Sequence, residues 1–263
     1  MAEDDMPVDE NFTLEDYENL NPVATIEWHG KKIHYCVPTR HVFWRFDTLK
    51  TKERDTIDWI AGFAEDDIFA DIGANVGMYT IWAAATAGVR VFAFEPESQN
   101  FALLNRNIIA NDLGDRITAY CVALNDKSEF GNLFLSSFVE GGSCHNFGES
   151  VNFHLKPMKA AYRQGCFSVP LDQLIANGVV PCPTYIKIDV DGNEHKVITG
   201  AAETLKNEKL KSVLVELNTN LKIHRELVGH LTSFGFVLNQ EYLKVGIVQK
   251  GPFKGVGNHI FQR

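Results

Sequence analysis

Short apolar runs alternate with segments of helical apolar spacing from Ile57 to the end of the chain. This feature most constrains the fold, because such alternation is typical of a parallel sheet with helices on both of its faces. The last apolar runs, 245–248 and 259–261, are expected to pair as a terminal antiparallel hairpin, and 130–135 as an extra hairpin strand. The sequence predicts one α/β domain over residues 57–263, with strands at 68–72, 89–94, 117–122, 185–190, 213–217 and 236–238.

Helices are predicted between these strands wherever apolar residues recur every three or four positions. Met78 and Trp82 begin the first such pattern, and Gly88 is the expected helix stop. Another helix is expected near Phe101 and Ile108. The remaining predicted helices cover residues 171–176, 194–205 and 221–234.

Charge is distributed unevenly along the 263 residues, whose formal net charge is −9. Residues 1–20 contain eight acids and no base, whereas residues 21–263 contain 26 acids and 25 bases. We expect residues 1–21 to form an acidic N-terminal arm. The near-neutral remainder argues against broad nucleic-acid binding, which requires a basic surface.

Residues 22–56 differ in composition from the predicted domain that follows. Residues 24–37 alternate around His29 and Gly30 as a β-hairpin would. Residues 40–54 mix five basic residues with Phe43, Trp44 and Phe46. We expect this segment to precede the predicted α/β domain as a hairpin followed by a basic and aromatic stretch.

Features that the sequence lacks indicate the cellular compartment in which we expect the protein. The acidic start lacks the basic and apolar regions of a signal peptide, and no segment stays apolar for the ~18 residues of a membrane span. The five cysteines are scattered without a C-x-x-C pair, which argues against a disulfide framework and a cysteine zinc site. We expect a cytoplasmic protein without membrane partners.

A glycine-rich turn follows the first predicted strand of the domain. Residues 71–77 read Asp-Ile-Gly-Ala-Asn-Val-Gly, so small residues connect a strand to a helix and let a ligand approach the backbone. A dinucleotide fingerprint would have a second glycine where Asn75 stands. Asp71 disfavours a pyrophosphate but suits an ammonium group. The turn, with Gly73 and Gly77, therefore favours S-adenosylmethionine over a nicotinamide cofactor.

Two further positions are expected to contact that cofactor. Glu95 ends the second strand, 24 residues after Asp71, close to the ~20 expected for an acid that accepts hydrogen bonds from ribose hydroxyls. Residues 121–125, with Ala123 at their centre, follow the third strand where an adenine ring would lie. Helix capping by Asp71 and a surface position for Glu95 are the alternative interpretations.

The reaction centre is expected at the carboxyl end of the strand 185–190. Asp189 is the first candidate for the base or orienting group, and Lys187 lies two residues away on the same face, where the two groups can interact. His145 is the second candidate and His195 the third. Glu216 ends the fifth strand as a candidate substrate ligand or as the partner of a lysine.

His145 lies in residues 136–168, a glycine-rich stretch without regular periodicity. A long irregular insertion in a compact domain is often functional, so we expect these residues to form a lid over the acceptor.

Residues 191–194 allow two interpretations. Asp191 and Glu194 stand three apart at the start of a helical pattern, as in a capping box. Asp189, Asp191 and Asn193 are also the hard oxygen ligands that a divalent cation prefers. Capping is the favoured interpretation, and we expect no metal requirement.

These motifs, taken in order, resemble the FkbM-type methyltransferases from about residue 69 to residue 217. The resemblance is carried by residues 71–77, Phe94-Glu95-Pro96-Glu97, Asn100 and Asn111, 169–174, 186–194 and Gly200-Ala201. It implies a Rossmann-like class I methyltransferase fold with seven strands, the last antiparallel. It also implies S-adenosyl-L-methionine as the methyl donor and O-methylation of a hydroxyl on a sugar or natural product.

By the same resemblance, Asp71, Gly73, Asn75 and Gly77 would line the methionine end of the cofactor and Glu95 the ribose. The family often has Glu where this chain has Asp191. We therefore expect a methyltransferase acting on a small-molecule or glycan hydroxyl. An RNA methyltransferase that uses residues 40–54, and a non-catalytic S-adenosylmethionine-binding module, are the alternatives.

Overall fold

The computed structural model describes residue 13, residue 16 and residues 20–263. The predicted acidic arm lies almost entirely outside these residues. The strands within these described residues are β1 Val23–Trp28, β2 Lys31–Cys36, β3 Ile68–Ile72, β4 Arg90–Phe94, β5 Ile117–Tyr120, β6 Ala123–Leu124, β7 Glu129–Leu135, β8 Asn146–Phe147, β9 Tyr162–Val169, β10 Tyr185–Ile188, β11 Ser212–Asn218, β12 Val237–Leu238 and β13 Val256–Gln262.

Among the helices of the described residues, those at 78–87, 98–110, 171–176 and 222–233 lie close to predicted positions, whereas those at 40–52, 54–60 and 240–246 were not predicted. The helices of this part of the chain are α1 Arg40–Lys52, α2 Arg54–Ile60, α3 Met78–Ala87, α4 Ser98–Ala110, α5 Leu171–Ala176, α6 Glu194–Thr199, α7 Ala202–Lys206, α8 Lys222–Ser233 and α9 Gln240–Gly246. Helix α3 ends at the predicted stop, because Gly88 adopts φ +76°, a left-handed conformation that favours glycine.

Seven strands form the central sheet in the order β12-β13-β11-β10-β3-β4-β5. The pairs from β11 to β5 are parallel, and β13 runs antiparallel to both β11 and β12. This order confirms the predicted seven-stranded class I methyltransferase fold with an antiparallel last strand.

Alternate residues of each central strand point to opposite faces of the sheet, as strand geometry requires. Phe69, Val91 and Leu214 belong to one apolar cluster, which also contains residues of α2, α3 and α4. Ala70 and Phe92 belong to a second cluster with residues of α6, α7 and α8. Helices therefore cover both faces, and the carboxyl ends of the parallel strands remain accessible at one edge.

The predicted N-terminal hairpin is confirmed, since β1 and β2 pair antiparallel across His29 and Gly30. Ile33 and Tyr35 of β2 lie in the same apolar cluster as the central sheet. The boundary expected between residues 56 and 57 falls inside α2, so no break in structure separates the two segments there.

The predicted hairpin between residues 245–248 and 259–261 is reduced to one antiparallel bridge, from Ile247 to Gly257. Residues 245 and 246 end α9, which begins because the Asn239 side chain accepts hydrogen bonds from the backbone N–H groups of Glu241 and Tyr242. Residues 259–261 do lie in an antiparallel strand, but β11 and β12 are its partners.

The single helix predicted over residues 194–205 is wrong, because Gly200 and Ala201 separate α6 from α7. A Cβ atom on Gly200 would lie 2.1 Å from the carbonyl oxygen of Asn125. The glycine therefore permits the loop after β6 to pack closely against the break between the two helices.

A second sheet of four strands, in the order β6-β9-β7-β8, covers one end of the molecule. It confirms the predicted strand at 130–135, which lies in β7. Two strands, β8 and β9, form within the expected lid, so the irregular part is shorter than the predicted range 136–168. None of the helices in the described part of the chain is long and apolar enough to cross a membrane.

Candidate active site

A cavity of about 570 Å³ opens at the carboxyl ends of the parallel strands. Ligands bind at this edge in open α/β sheets, because the loops that follow the strands diverge there. Strands β3, β4, β10 and β11 contribute the floor, and α1, residues 142–145 and residues 248–256 contribute the sides. The predicted site residues on its wall are Gly73, Asn75, Glu95, Ala123, His145, Lys187 and Asp189.

The glycine-rich turn brings β3 against the end of β10. Gly73 has φ +80°, and a Cβ atom there would lie 1.8 Å from the carbonyl oxygen of Asp189. The Gly73 N–H donates to the Phe94 carbonyl oxygen over 2.9 Å, which connects the same turn to β4. Only glycine combines this conformation with this close approach.

Glu95 is held at the end of β4 by two backbone donors. Its Oε2 accepts the Asn75 N–H at 2.7 Å, and its Oε1 accepts the Glu97 N–H at 2.9 Å. The side chain is buried, and burial raises the pKa of Glu95 to about 7 although both N–H groups oppose the rise. The carboxyl group therefore lies in a fixed position on the cavity wall.

Asp71 and Gly77 do not line the cavity. Asp71 is 1% exposed, and its Oδ2 accepts a 2.6 Å hydrogen bond from the Thr80 hydroxyl on α3. Burial raises the pKa of Asp71, which the Lys187 ammonium opposes. Gly77 is the N-cap of α3 at φ +83°, where a Cβ atom would lie 2.3 Å from Leu104 Cδ1. Both residues therefore position the turn and its helix from behind the cavity wall.

Asn125 lies beside Ala123 on the wall and carries an unsatisfied buried acceptor. Asn125 is 5% exposed, and its Oδ1 has no hydrogen-bond partner among the described residues. Buried acceptors are normally paired, so an unpaired one on a cavity wall indicates a site for a donor of a ligand. The sequence placed Asn125 in the segment after the third strand but gave no reason to single it out.

Lys187 and Asp189 form an ion pair at the floor of the cavity. Lys187 Nζ lies 2.8 Å from Asp189 Oδ2, and the lysine side chain is 2% exposed against 27% for the aspartate. Burial alone would lower the pKa of Lys187, but the carboxylates of Asp189, Asp71 and Glu53 raise it above its ordinary value. The lysine is therefore a fixed cation, and it confirms the same-face contact expected from the spacing.

Glu53 adds a carboxylate that no sequence pattern indicated. It lies between α1 and α2 and lines the cavity. Burial would raise the pKa of Glu53, but the cations of Lys52 and Lys187 lower it to about 2. Its Oε1 is 2.9 Å from Lys52 Nζ. The positive charge of Lys187 thus balances the negative charges of carboxylates on β3, after β10 and between α1 and α2.

Three carboxyl groups converge beside the ion pair. One oxygen from each of Asp189, Asp191 and Glu216 lies within 4.8 Å of the other two. Burial raises the pKa of Asp191 to about 6, and the charge of Asp189 adds to the rise. The sequence suggested Asp189, Asp191 and Asn193 as oxygen ligands of a cation. In the structure Glu216 stands in place of Asn193, whose Nδ2 donates to the Phe147 carbonyl oxygen at 3.3 Å.

The capping box expected from Asp191 and Glu194 does not form. Asp191 has φ +56°, and its Oδ2 accepts the Cys144 N–H at 2.6 Å. The N-cap of α6 is Asn193, without a side-chain capping bond. Glu194 is 1% exposed and accepts the Gly192 N–H at 3.1 Å, so it stabilises the turn before the helix. Asp191 therefore connects that turn to the lid.

Within the segment expected to form a lid, residues 142–145 line the cavity, and the strand β8 interrupts the irregular residues 136–161. The Gly142 carbonyl oxygen accepts hydrogen bonds from Asn75 Nδ2 at 2.6 Å and Asn100 Nδ2 at 3.1 Å. The Gly141 carbonyl oxygen accepts one from Arg45 Nε at 2.7 Å. Hydrogen bonds from the glycine-rich turn, α4 and α1 thus hold Gly141 and Gly142 at the mouth of the cavity.

The two candidate histidines differ in position. His145 lies on the lid and lines the cavity, and its Nδ1 accepts the Ser136 N–H at 3.2 Å. Burial, with the charge of Arg45, lowers the pKa of His145 to about 4, so the imidazole is neutral at pH 7. His195 on α6 does not line the cavity.

Helix α1 supplies the wall opposite the central sheet. Trp44, Arg45 and Lys52 of this helix line the cavity, and Trp44 is 47% exposed. Lys52 Nζ lies 5.6 Å from the centroid of the Trp44 ring. The basic and aromatic composition of residues 40–54 was the sequence signal for this wall, although it did not indicate the cavity.

Comparison with known proteins identifies relatives of one family. Residues 71–238 match the methyltransferase FkbM domain. The hexuronic acid methyltransferase AglP of Haloferax volcanii is 27% identical over 199 residues, which cover 74% of this chain and 74% of AglP. The 31-O-demethyl-FK506 methyltransferase FkbM of Streptomyces tacrolimicus is 23% identical over 198 residues, which cover 66% of this chain and 74% of that protein.

A solved structure agrees in fold. Methyltransferase FkbM from Methylobacillus flagellatus KT aligns with a TM-score of 0.51 and 15% identity over 76% of this chain. The alignment spans 44% of the length of that solved chain. The family match covers more than half of the chain and includes the end of β3 and the whole of β4, β10 and β11, and the ends of these strands form the cavity floor. The protein therefore belongs to the FkbM methyltransferase domain family.

Proposed function

We propose that the protein transfers a methyl group from S-adenosyl-L-methionine to a hydroxyl group of a saccharide or a related metabolite. The observation that carries the proposal is one shared cavity. Glu95 at the end of β4 and the Lys187–Asp189 pair at the end of β10 line it on either side of the Gly73 turn. Cofactor-binding and reacting groups would thus meet in one site.

The wall residues fit the cofactor chemically. Glu95 offers carboxylate oxygens to the ribose hydroxyls, as acids at this strand end do in related folds. The unpaired Asn125 Oδ1 is an acceptor that an adenine amino group would satisfy.

The bound cofactor would supply an activated methyl group, and the chain's own residues would align the acceptor. Asp189 Oδ2 is engaged by Lys187, which leaves Oδ1 to accept a hydrogen bond from the acceptor hydroxyl and orient it. Lys187 fixes Asp189 and compensates its charge. The lid, held by Asn75, Asn100 and Arg45, excludes water from the reacting atoms.

Two observations support a saccharide or polyol-like acceptor. AglP is by name a hexuronic acid methyltransferase, and FkbM is by name a methyltransferase of a demethylated natural product. The half-exposed Trp44 offers an aromatic surface at the cavity wall, beside Arg45 and Lys52. These groups suit a ring that has an apolar face and polar or acidic substituents.

Calorimetric titration of the purified protein with S-adenosylmethionine tests the cofactor half of the proposal. Wild type is expected to bind the cofactor, and Glu95→Ala is expected to lose about tenfold or more, because hydrogen bonds to a charged group contribute about 1.5–3 kcal/mol. The exposed residue Glu208 provides a matched control, Glu208→Ala, with unchanged affinity. Absence of binding by wild type at millimolar cofactor would refute the proposal.

A further inference from the structure

Three carboxyl groups, those of Asp189, Asp191 and Glu216, lie together in the cavity. Glu216 is the one whose part in the reaction has not yet been described. It lies near the end of β11, where its neighbours Val215 and Leu217 are buried in the apolar core. Its own side chain lines the cavity, with an oxygen within 4.8 Å of oxygens of Asp189 and Asp191. Strand alternation thus places the one ionisable side chain of this strand in the cavity, beside the other two carboxyl groups.

The three carboxyl groups differ in what already binds them. Asp189 is paired with the buried cation of Lys187. Asp191 accepts the backbone N–H of Cys144. In the described part of the chain, the Glu216 carboxyl forms no salt bridge within 4.0 Å and accepts no hydrogen bond, and the cation that its charge influences is Lys52 of α1. A carboxylate that is stabilised by a cation or a donor is a weaker base, so Glu216 is the strongest proton acceptor of the three.

The charged surroundings of Glu216 are mostly acidic. Burial, followed by the charges of Asp189 and Asp191, raises its pKa well above the ordinary value of 4.5. Across the sheet, the β13 residue opposite Glu216 is the uncharged Asn258. The titratable and charged groups that neighbouring elements place near it are Lys52 of α1, Glu53 between α1 and α2, Cys144 of the lid, Asp189 and Asp191 after β10, and Glu194 of α6.

We propose that Glu216 is the proton acceptor for the acceptor hydroxyl, with Asp189 as the orienting group. This inference rests on the proposed function. The hydroxyl oxygen forms a bond to the methyl carbon while the carbon–sulfur bond breaks and its electron pair passes to sulfur. The hydroxyl proton passes to Glu216, which becomes a carboxylic acid and then releases the proton to water. A general base works best when its pKa lies near the operating pH.

Glu216→Gln tests the proposal, because it keeps the shape and removes the basic oxygen. With a saccharide that wild type methylates, the variant is expected to lose about 100-fold in kcat, in the range of general base catalysis. It is also expected to lose the rise of kcat with pH that wild type shows, and to keep its cofactor affinity. A kcat within threefold of wild type, with the same rise, would overturn the proposal.

A second readout does not depend on a substrate. Difference infrared spectroscopy of the free protein is expected to show a carboxylic acid band that titrates above the usual range of glutamate and is absent from Glu216→Gln. Without that band the base assignment fails, even if the protein proves to be a methyltransferase. If the band is present but wild type methylates no saccharide, the proposed acceptor fails and the proton-accepting site at Glu216 stands.

Removal of metal ions with a chelator tests whether Glu216 acts as a base or as a metal ligand. Activity of wild type is expected to survive dialysis against EDTA. Loss of activity on dialysis, recovery with Mg²⁺, and weaker Mg²⁺ binding by Glu216→Gln would together overturn the proposal, because Glu216 would then be a ligand of a cation.

Discussion

Gly73 lies against Asp189 so closely that a Cβ atom on the glycine would be 1.8 Å from the aspartate carbonyl oxygen. This contact joins the first βα turn, which contains the proposed cofactor motif, to the strand end that contains the Lys187–Asp189 pair. The two motifs are more than 100 residues apart in sequence and form one rigid wall. A shift of the Gly73 turn would therefore displace the end of β10, and a shift of that strand end would displace the turn.

We predict that Gly73→Ala abolishes both cofactor binding and activity. The methyl group would require β3 and β10 to separate at their ends, and the left-handed φ of +80° adds strain. Calorimetry with S-adenosylmethionine and thermal unfolding would measure the effect. Gly114→Ala is the control, because nothing lies within 4 Å of its added Cβ, and it is expected to behave as wild type.

We predict that Lys187→Met lowers the free energy of unfolding by about 3–5 kcal/mol, because removal of a buried cation leaves nearby carboxylates uncompensated. Lys187 is 2% exposed and is close to Asp189, Asp71 and Glu53. Denaturant unfolding at neutral pH would measure the loss. Lys206→Met, which breaks an exposed pair with Glu203, is expected to cost less than about 1 kcal/mol. Equal losses for the two variants would contradict the compensating role of Lys187.

We predict that Asn125→Ala weakens cofactor binding about tenfold without lowering the melting temperature. In the free protein its buried Oδ1 has no partner among the described residues, so truncation removes an unsatisfied group. In the complex the same truncation would remove an acceptor from the adenine amino group. Calorimetry and thermal unfolding would be run on the same sample. A variant with full affinity would show that Asn125 does not contact the cofactor.

We predict that Asn100→Ala opens the lid and raises the KM for the acceptor. Asn100 is fully buried, its Nδ2 donates to the Gly142 carbonyl oxygen, and its Oδ1 accepts the Gly141 N–H at 2.8 Å. Limited proteolysis within residues 136–161 is expected to become faster. Asn105→Ala on the same helix, whose Nδ2 bonds only to the Phe101 carbonyl oxygen, is the control with unchanged proteolysis.

We predict that Glu194→Gln reduces the pH dependence of stability above neutrality. Burial raises the pKa of Glu194 to about 8 from 4.5, so the folded protein holds a proton that the unfolded chain has released. Its contribution is full below pH 4.5 and is lost as the pH rises through about 8. The adjacent His224, with a pKa lowered to about 4, stays neutral in this window.

Denaturant unfolding at about pH 6.5 and about pH 8.5 measures this difference. Wild type is expected to lose about 1–2 kcal/mol more than Glu194→Gln over the interval. The exposed Glu203→Gln serves as the control and is expected to follow wild type. Parallel curves for wild type and Glu194→Gln would show that Glu194 is ionised in the folded protein.

Local sequence patterns predicted the features that depend on neighbours in sequence. The apolar period of each strand and helix predicted the central sheet, and two-residue spacing predicted the contact of Lys187 with Asp189. Gly88 predicted the end of α3 for the same reason, because a left-handed residue terminates a helix locally. Such signals act over a few residues and need no tertiary partner.

Features that depend on distant partners were not predictable in this way. Asp191 matched a capping box, yet it accepts a hydrogen bond from Cys144 of the lid, 47 residues away. Residues 194–205 matched one helix, yet the approach of Asn125 to Gly200 coincides with a break. Glu53 carried no local signal, because its place on the cavity wall follows from packing of α1 and α2 against the sheet.

The most direct measurement of the central claim is transfer of an isotopically labelled methyl group from S-adenosylmethionine to a saccharide hydroxyl. Wild type would be incubated with neutral and acidic glycans, with RNA in a parallel sample, and the products analysed by mass spectrometry. We expect one labelled methyl group on a saccharide oxygen, and we expect its transfer to require Glu95 and Asp189. Label on RNA alone, or cofactor binding without transfer to any sample, would contradict this expectation.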